Sequence, residues 1–284
     1  MMQSSALALL TIGLLGCGGG NTATTDDAGE DATSTDAVSS DAMPLASAGC
    51  GTAHTPGWTC HNTQIQGADR YYCVLIPADY DARVPRRILF NFHGCGGTVP
   101  LTGGSNGQET YNAGRFLLVA PKSAGSCWEA GTNSVDVALV IAARAELEAT
   151  YCVDRAQTFA EGFSSGGFMA SALACRQTAG VRAAATAGGT SSCNMPMPLW
   201  MYHGSLDTTV PFAMYGPPVR DGFVATNGCT MTTKEIPGAS PPCVEYTGCN
   251  QRTVWCNTNE GHRWPSTAWM FGGTLDFFAS YFGR

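Results

Sequence analysis

The chain is poor in charge, and its few charges are unevenly placed. Only 13% of its 284 residues are Asp, Glu, Lys or Arg, and the first 49 contain no Lys or Arg at all. No basic cluster occurs, which excludes a nucleic-acid partner recognised through its phosphates. The apolar stretch from Ala6 to Leu15 is too short to span a bilayer as a mature helix. No two cysteines stand at Cys-x-x-Cys spacing and no histidines at metal-ligand spacing, so a zinc site is not expected. Internal repeats are absent as well.

What the N-terminus does have is a short apolar run ending in Leu14-Leu15-Gly16-Cys17. Residues 1–17 read as an export signal. Their end resembles the bacterial lipoprotein box, in which the cysteine, here Cys17, carries the lipid, although the usual base before the apolar run is missing. The alternative is a plain secretory signal with a chance cysteine. Residues 18–46 are Gly, Ala, Ser, Thr and Asp with almost no large apolar groups, too little to offset chain entropy by burial, so they are expected to form a flexible acidic tether. Six acids fall between Asp26 and Asp41; the rest of the chain holds 16 acids against 15 bases. The formal charge of −7 therefore belongs mostly to this tail. Setting Cys17 aside leaves twelve cysteines, an even number that suits six disulfides in an exported domain. Connectivity is not readable from spacing; Cys60 with Cys73, Cys95 with Cys127 and Cys229 with Cys249 are guesses.

From residue 47 to 284 strand-like and helix-like segments alternate. "YYCVLIPADY", "RRILFNFHG", "GRFLLVAPK", "RAQTFAEGF", "VRAAATAGG" and "PLWMYHGSLD" read as strands. "SVDVALVIAARAELEATY" reads as a helix capped by Ser134, with apolar residues recurring at Val137, Ile141 and Leu147. "TLDFFASYF" reads as an aromatic-rich terminal helix. Near-continuous apolar strands between helices imply an α/β domain with a mostly parallel sheet covered on both faces.

Chemistry enters at "FAEGFSSGGFMA", residues 159–170. Ser164 has Gly162 two before it and Gly166 two after, the nucleophile-elbow pattern in which a serine occupies a sharp strand-to-helix turn. Ser165 does not fit, because Phe163 stands where the first glycine belongs. A serine hydroxyl needs a base, and the base needs an acid to hold its tautomer. In the chain order Ser, acid, His, only His203 and His262 follow Ser164. His203 precedes the best acid and sits in an apolar strand, which leaves His262 as base. Asp207 lies just past the end of a buried strand, where sheet enzymes keep their functional groups; Asp221, Glu235, Glu245 and Glu260 do not. The oxyanion hole needs two backbone N–H groups. One is that of Ser165; the other is assigned to Cys95 in "HGCGGT", with His93 as a structural hydrogen-bonder.

"HGCGG", "GFSSGG", "HGSLDTTVPF" and "EGHRWP" resemble the esterase family that groups bacterial polyhydroxybutyrate depolymerases with feruloyl and acetylxylan esterases. The resemblance covers residues 49–284. "SAGCGTA", "NGC", "EYTGC" and "VWC" look especially like secreted feruloyl esterases of carbohydrate esterase family 1. The resemblance implies an α/β-hydrolase fold, no metal or cofactor, a Ser164–Asp207–His262 triad, and Cys95 as the second oxyanion amide. Here Glu260 and Arg263 flank Gly261-His262, bulky charges expected to narrow one side of the site. Trp128 and Trp264 either stack an aromatic acyl group or pack their loops. With no Trp-rich carbohydrate-binding module in view, the expected substrate is a feruloylated poly- or oligosaccharide ester rather than a polyester. Polyhydroxybutyrate and acetylxylan remain the alternatives. The non-enzymatic alternative is a surface-binding lipoprotein, which a complete set of serine, acid, base and oxyanion loop disfavours.

Overall fold

The runs that read as buried strands from their unbroken apolar character do occupy the middle of a sheet, and the polar-alternating segments lie at its edges. The computed structural model describes residues 45–99, 112–236, 243–265 and 268–282. The expected export signal, Cys17 and nearly all of the tether lie outside the described residues. The strands are β1 Gly57–Ile65, β2 Ala68–Ile76, β3 Arg86–Phe92, β4 Phe116–Pro121, β5 Val153–Phe163, β6 Val181–Ala187, β7 Leu199–Gly204, β8 Thr233–Glu235, β9 Cys243–Tyr246 and β10 Thr253–Thr258. The helices are α1 Val135–Thr150, α2 Ser165–Cys175, α3 Phe212–Tyr215, α4 Pro217–Thr226 and α5 Ala268–Ala279.

One ten-stranded sheet has the order β1-β2-β4-β3-β5-β6-β7-β10-β9-β8. From β4 to β10 every neighbouring pair is parallel. The outer pairs are antiparallel, so the mostly parallel expectation holds for the centre. Alternate residues of a strand face opposite layers. Ile88, Phe90 and Phe92 join the core that takes in Val137 and Leu147 of α1, Met169 and Leu173 of α2 and Phe223 of α4. Leu89 joins Phe159, Trp200 and the α5 residues Leu275, Phe277 and Phe278 on the other face. Together these layers form the α/β-hydrolase fold that the sequence motifs implied.

Ser134 caps α1 as expected, accepting the Val137 N–H at 3.1 Å. The buried stripe differs from the expected one. It follows Val137, Val140, Arg144 and Leu147, and Ile141 is half exposed (50%). On a 3.6-residue turn Ile141 points well to one side of that stripe, while Arg144 lies on it. Arg144 is tolerated there because its guanidinium reaches the carbonyls of Ala179 and Arg155 and the Glu148 carboxylate. β1, β8, β9, β10, α3 and α4 are additional to the elements expected from the sequence.

All twelve cysteines from Cys50 to Cys256 pair. Cys60–Cys73, Cys95–Cys127 and Cys229–Cys249 are the three guessed pairs; Cys50–Cys152, Cys175–Cys193 and Cys243–Cys256 complete the set. Cys60 and Cys73 are direct cross-strand partners of β1 and β2, and Cys243 and Cys256 of β9 and β10. Six disulfides are the covalent pattern of an extracellular protein.

Candidate active site

The elbow is built from absent side chains. β5 runs into α2 with Ser164 between them at φ 55° and ψ −122°, a left-handed conformation that costs a non-glycine residue about 1–3 kcal/mol. A Cβ on Gly162 would stand 2.3 Å from the Gly166 carbonyl oxygen, and one on Gly166 would stand 2.1 Å from that of Phe92. Both motif glycines are therefore required by backbone contact. Ser164 occupies the N-cap position of α2, but its hydroxyl makes no capping bond, which leaves it available to an imidazole. The Ser165 N–H lies in the first helical turn, where no intrahelical acceptor exists. The Ser165 hydroxyl is buried without a partner among the described residues.

Asp207 and His262 arrive on adjacent parallel strands. Gly204 ends β7 opposite Thr258, the end of β10. The loops beyond are stitched together by Ser205 N–H to Thr258 O at 2.8 Å and Leu206 N–H to Glu260 O at 2.9 Å. A Cβ on Gly204 would meet the Glu260 carbonyl at 2.3 Å, so this contact too depends on a glycine. The result is one hydrogen-bonded chain: Asp207 Oδ2 to His262 Nδ1 at 2.7 Å and His262 Nε2 to Ser164 Oγ at 2.9 Å. Asp207 is buried, and its other oxygen, Oδ1, accepts the N–H groups of Thr209 and Val210 at 3.0 and 2.9 Å. It is thus both the turn cap and the partner of the histidine, one oxygen serving each role.

The loop after β3 carries Cys95 and lies against the elbow. A Cβ on Gly94 would be 3.5 Å from that of Ser164. His93 is buried, its Nδ1 2.6 Å from the Gly94 carbonyl and its Nε2 accepting the Ser123 N–H at 3.3 Å. Burial pushes its imidazole below the ordinary histidine range, partly offset by the Gly94 bond. It is a structural hydrogen-bonder, as expected. The loop is also tied sideways by the Cys95–Cys127 disulfide and by Gly96 N–H to Ser126 O at 2.7 Å.

Trp128 adds a third tie. It is 7% exposed, donates its indole N–H to the His93 carbonyl at 2.8 Å, and packs edge-on against Phe92. The structure therefore places it beneath the loop 93–97, in contacts that match the packing alternative. The segment carrying Cys127 and Trp128 is fixed in turn by Asp136. That fully buried carboxylate accepts the N–H groups of Ala124 and Glu129 and pairs with Arg70 at 2.7 Å.

Trp264 is half-buried beside Phe163, edge-on at 6.1 Å between ring centres. The rings of Phe163 and His262 lie 4.8 Å apart, tilted by 32°. Phe163 was not among the expected site residues; its position directly before the elbow is the signal that it touches the base. Glu260 and Arg263 pair with each other across the histidine loop, and the Arg263 guanidinium holds the Glu260 carboxyl below its usual range. His203, set aside as base because it precedes Asp207 in the chain, lies 3.4 Å from Asp207 Oδ2. Among the described residues no group of His, Cys, Asp and Glu is arranged to hold a metal ion.

A serine–histidine–aspartate chain at the C-terminal strand ends of an α/β-hydrolase sheet is the arrangement of a serine hydrolase. No family model matches the chain. It is 33% identical over 230 residues to a probable feruloyl esterase C of Aspergillus niger, covering 76% of this chain and 83% of the relative. It is 33% identical, with the same coverage, to feruloyl esterase C of Emericella nidulans. Among solved structures, an acetyl xylan esterase from Aspergillus awamori superposes with a TM-score of 0.60 at 16% identity, over 78% of this chain and 99% of the other. A feruloyl esterase module from Clostridium thermocellum does so with a TM-score of 0.54 at 13% identity, over 84% and 95%. These two likenesses bear on the fold. The chain belongs to the feruloyl esterase family and is a carboxylic ester hydrolase.

Proposed function

We propose that the enzyme releases ferulate-type aromatic acids from plant cell-wall polysaccharide esters through an acyl-enzyme. Ser164 Oγ attacks the ester carbonyl while His262 Nε2 takes its proton. Asp207 Oδ2 holds the Nδ1 proton and stabilises the imidazolium. The N–H groups of Cys95 and Ser165 receive the negative charge that develops on the carbonyl oxygen. His262 then protonates the departing sugar alcohol, and water activated by the same imidazole resolves the acyl-enzyme. The observation that carries this reading is the unbroken chain from Asp207 through His262 to Ser164, at 2.7 and 2.9 Å.

The relatives named feruloyl esterase C support the aromatic acyl group. Trp264, beside the base, is the residue that offers such a group an indole face; the contacts of Trp128 favour its packing role. Export with a lipid on Cys17, residues 18–46 serving as the tether, completes the proposal. Membrane-fraction activity that Cys17→Ser fails to release would remove the anchor.

Ser164→Ala is the test of the site. It is expected to lower turnover of methyl ferulate and p-nitrophenyl acetate by about ten-thousand-fold or more with little change in thermal stability; retained hydrolysis refutes the assignment. Serine-dependent methyl ferulate turnover well above that of the acetate supports the substrate class. Clearing of a polyhydroxybutyrate suspension with poor ferulate release overturns it.

A further inference from the structure

We infer that His203 is a positioning residue for the reaction: its Nε2–H fixes the 207–210 turn and so aims Asp207 at His262. The inference rests on the triad reading above. β7 is apolar along "LWMY" and then places a histidine at its penultimate position, fully buried. The Nε2–H donates to the Val210 carbonyl at 2.8 Å. On its other side Val210 gives its own N–H to Asp207 Oδ1 at 2.9 Å. The turn is thus held from both ends, by the carboxylate it serves and by His203. Nε2 also lies 3.4 Å from Asp207 Oδ2, the oxygen that holds His262. The His203 carbonyl accepts the Asn257 amide at 2.7 Å, tying this residue to β10, the strand that delivers His262.

Packing alone does not call for a histidine here. Its Nδ1 is buried with no partner among the described residues, and a buried, unsatisfied nitrogen disfavours folding relative to an apolar side chain of similar size. The proton on Nε2 is what an apolar residue cannot supply. The charged or titratable groups facing the ring are Asp207 and His262, and Phe212 closes its edge at 5.7 Å. Burial, the largest influence, lowers the proton affinity of the ring; the Val210 bond and Asp207 raise it and His262 lowers it further. The net direction is downward, which favours the neutral ring beside Asp207.

The experiment compares His203→Phe, His203→Met and His203→Gln with the parent enzyme on p-nitrophenyl acetate. Glutamine places an amide N–H about where Nε2–H stands, whereas Phe and Met supply none. Near-UV circular dichroism identifies the variants that keep the native fold. The apolar variants are expected to lose about ten- to a hundred-fold in kcat with KM within threefold. Glutamine should recover most of the rate. An apolar variant that folds and keeps kcat within twofold, or a glutamine variant as slow as the apolar ones, overturns the inference. Should Ser164→Ala stay active, the triad reading fails instead, so the two failures are distinguishable.

Discussion

Two loops lie beside the triad, one presenting backbone N–H groups to a carboxylate and the other, as proposed above, to a transient oxyanion, yet they are held in different ways. The turn 207–210 aims the amides of Thr209 and Val210 at Asp207 Oδ1. The loop 93–97 presents the amide of Cys95, by the reading proposed here, to an oxyanion. In the first the charge is permanent, and the carboxylate helps gather the loop that stabilises it. In the second the charge exists only while an ester is being broken, so it contributes nothing to the loop at rest. That loop is held by other means: a disulfide to Cys127, a Trp128 bond to the His93 carbonyl, and the Gly96–Ser126 bond. A site for a fleeting charge has to be preorganised by groups that never meet that charge.

The comparison breaks most visibly at the acid. Asp207→Asn puts an amide against His262 Nδ1 and favours the wrong tautomer. It is expected to lower kcat by about ten-thousand-fold with KM little changed, read from steady-state kinetics; a loss under tenfold would show that the permanent charge is dispensable. Removing the covalent tie with the paired Cys95→Ser and Cys127→Ser changes tests the other loop. The Cys95 amide remains but is held less firmly. We expect kcat to fall by about ten- to a hundred-fold, less than the full loss of an oxyanion donor, with a much smaller change in KM. An unchanged kcat would mean that Trp128 and Gly96 hold the loop unaided.

The smallest effect concerns pH and stability. His93 and His203, the histidines that support the two loops, both have proton affinities lowered by burial. As pH falls below about 6.5, the ordinary histidine value, the unfolded chain takes up protons that the folded one refuses, and stability drops. Their contribution is fully present above that pH and is lost as pH falls toward the lower folded values. A melting temperature a few degrees lower at pH 5 than at pH 7.5 is expected, with the decline reduced in His203→Gln; a decline as steep in that variant would exclude His203 as a contributor.

Much of the site was legible because its constraints are local or topological. Gly162 and Gly166 are dictated by backbone contact within a few residues, so the motif announces Ser164. Chain order left His262 as the base and favoured Asp207 as the acid before any geometry was known. The role of Trp128 was not legible, because stacking on a ligand and supporting a loop demand the same residue type. His203 looked like a strand residue because its partner, Val210, is brought back to it only by the turn. The edge strand β1 was hidden by its alternation of exposed and half-buried positions, which carries no continuous apolar run. β8, β9 and β10 are short and rich in Thr, Cys and Glu, and disulfides and pairing compensate for what their composition lacks. Ile141 misled because the helical period alone does not say which neighbouring stripe faces inward.

The Cys50–Cys152 bond joins positions 102 residues apart, and it encloses β1 through α1 together with the whole loop 93–97. Hydrolysis of any single peptide bond inside that ring releases no fragment. The bonds Cys229–Cys249 and Cys243–Cys256 overlap and do the same for the stretch from residue 229 to 256. In surroundings shared with proteases, a first cut in either stretch therefore leaves one molecule with its parts still bonded together. Its loss becomes visible by size only after reduction.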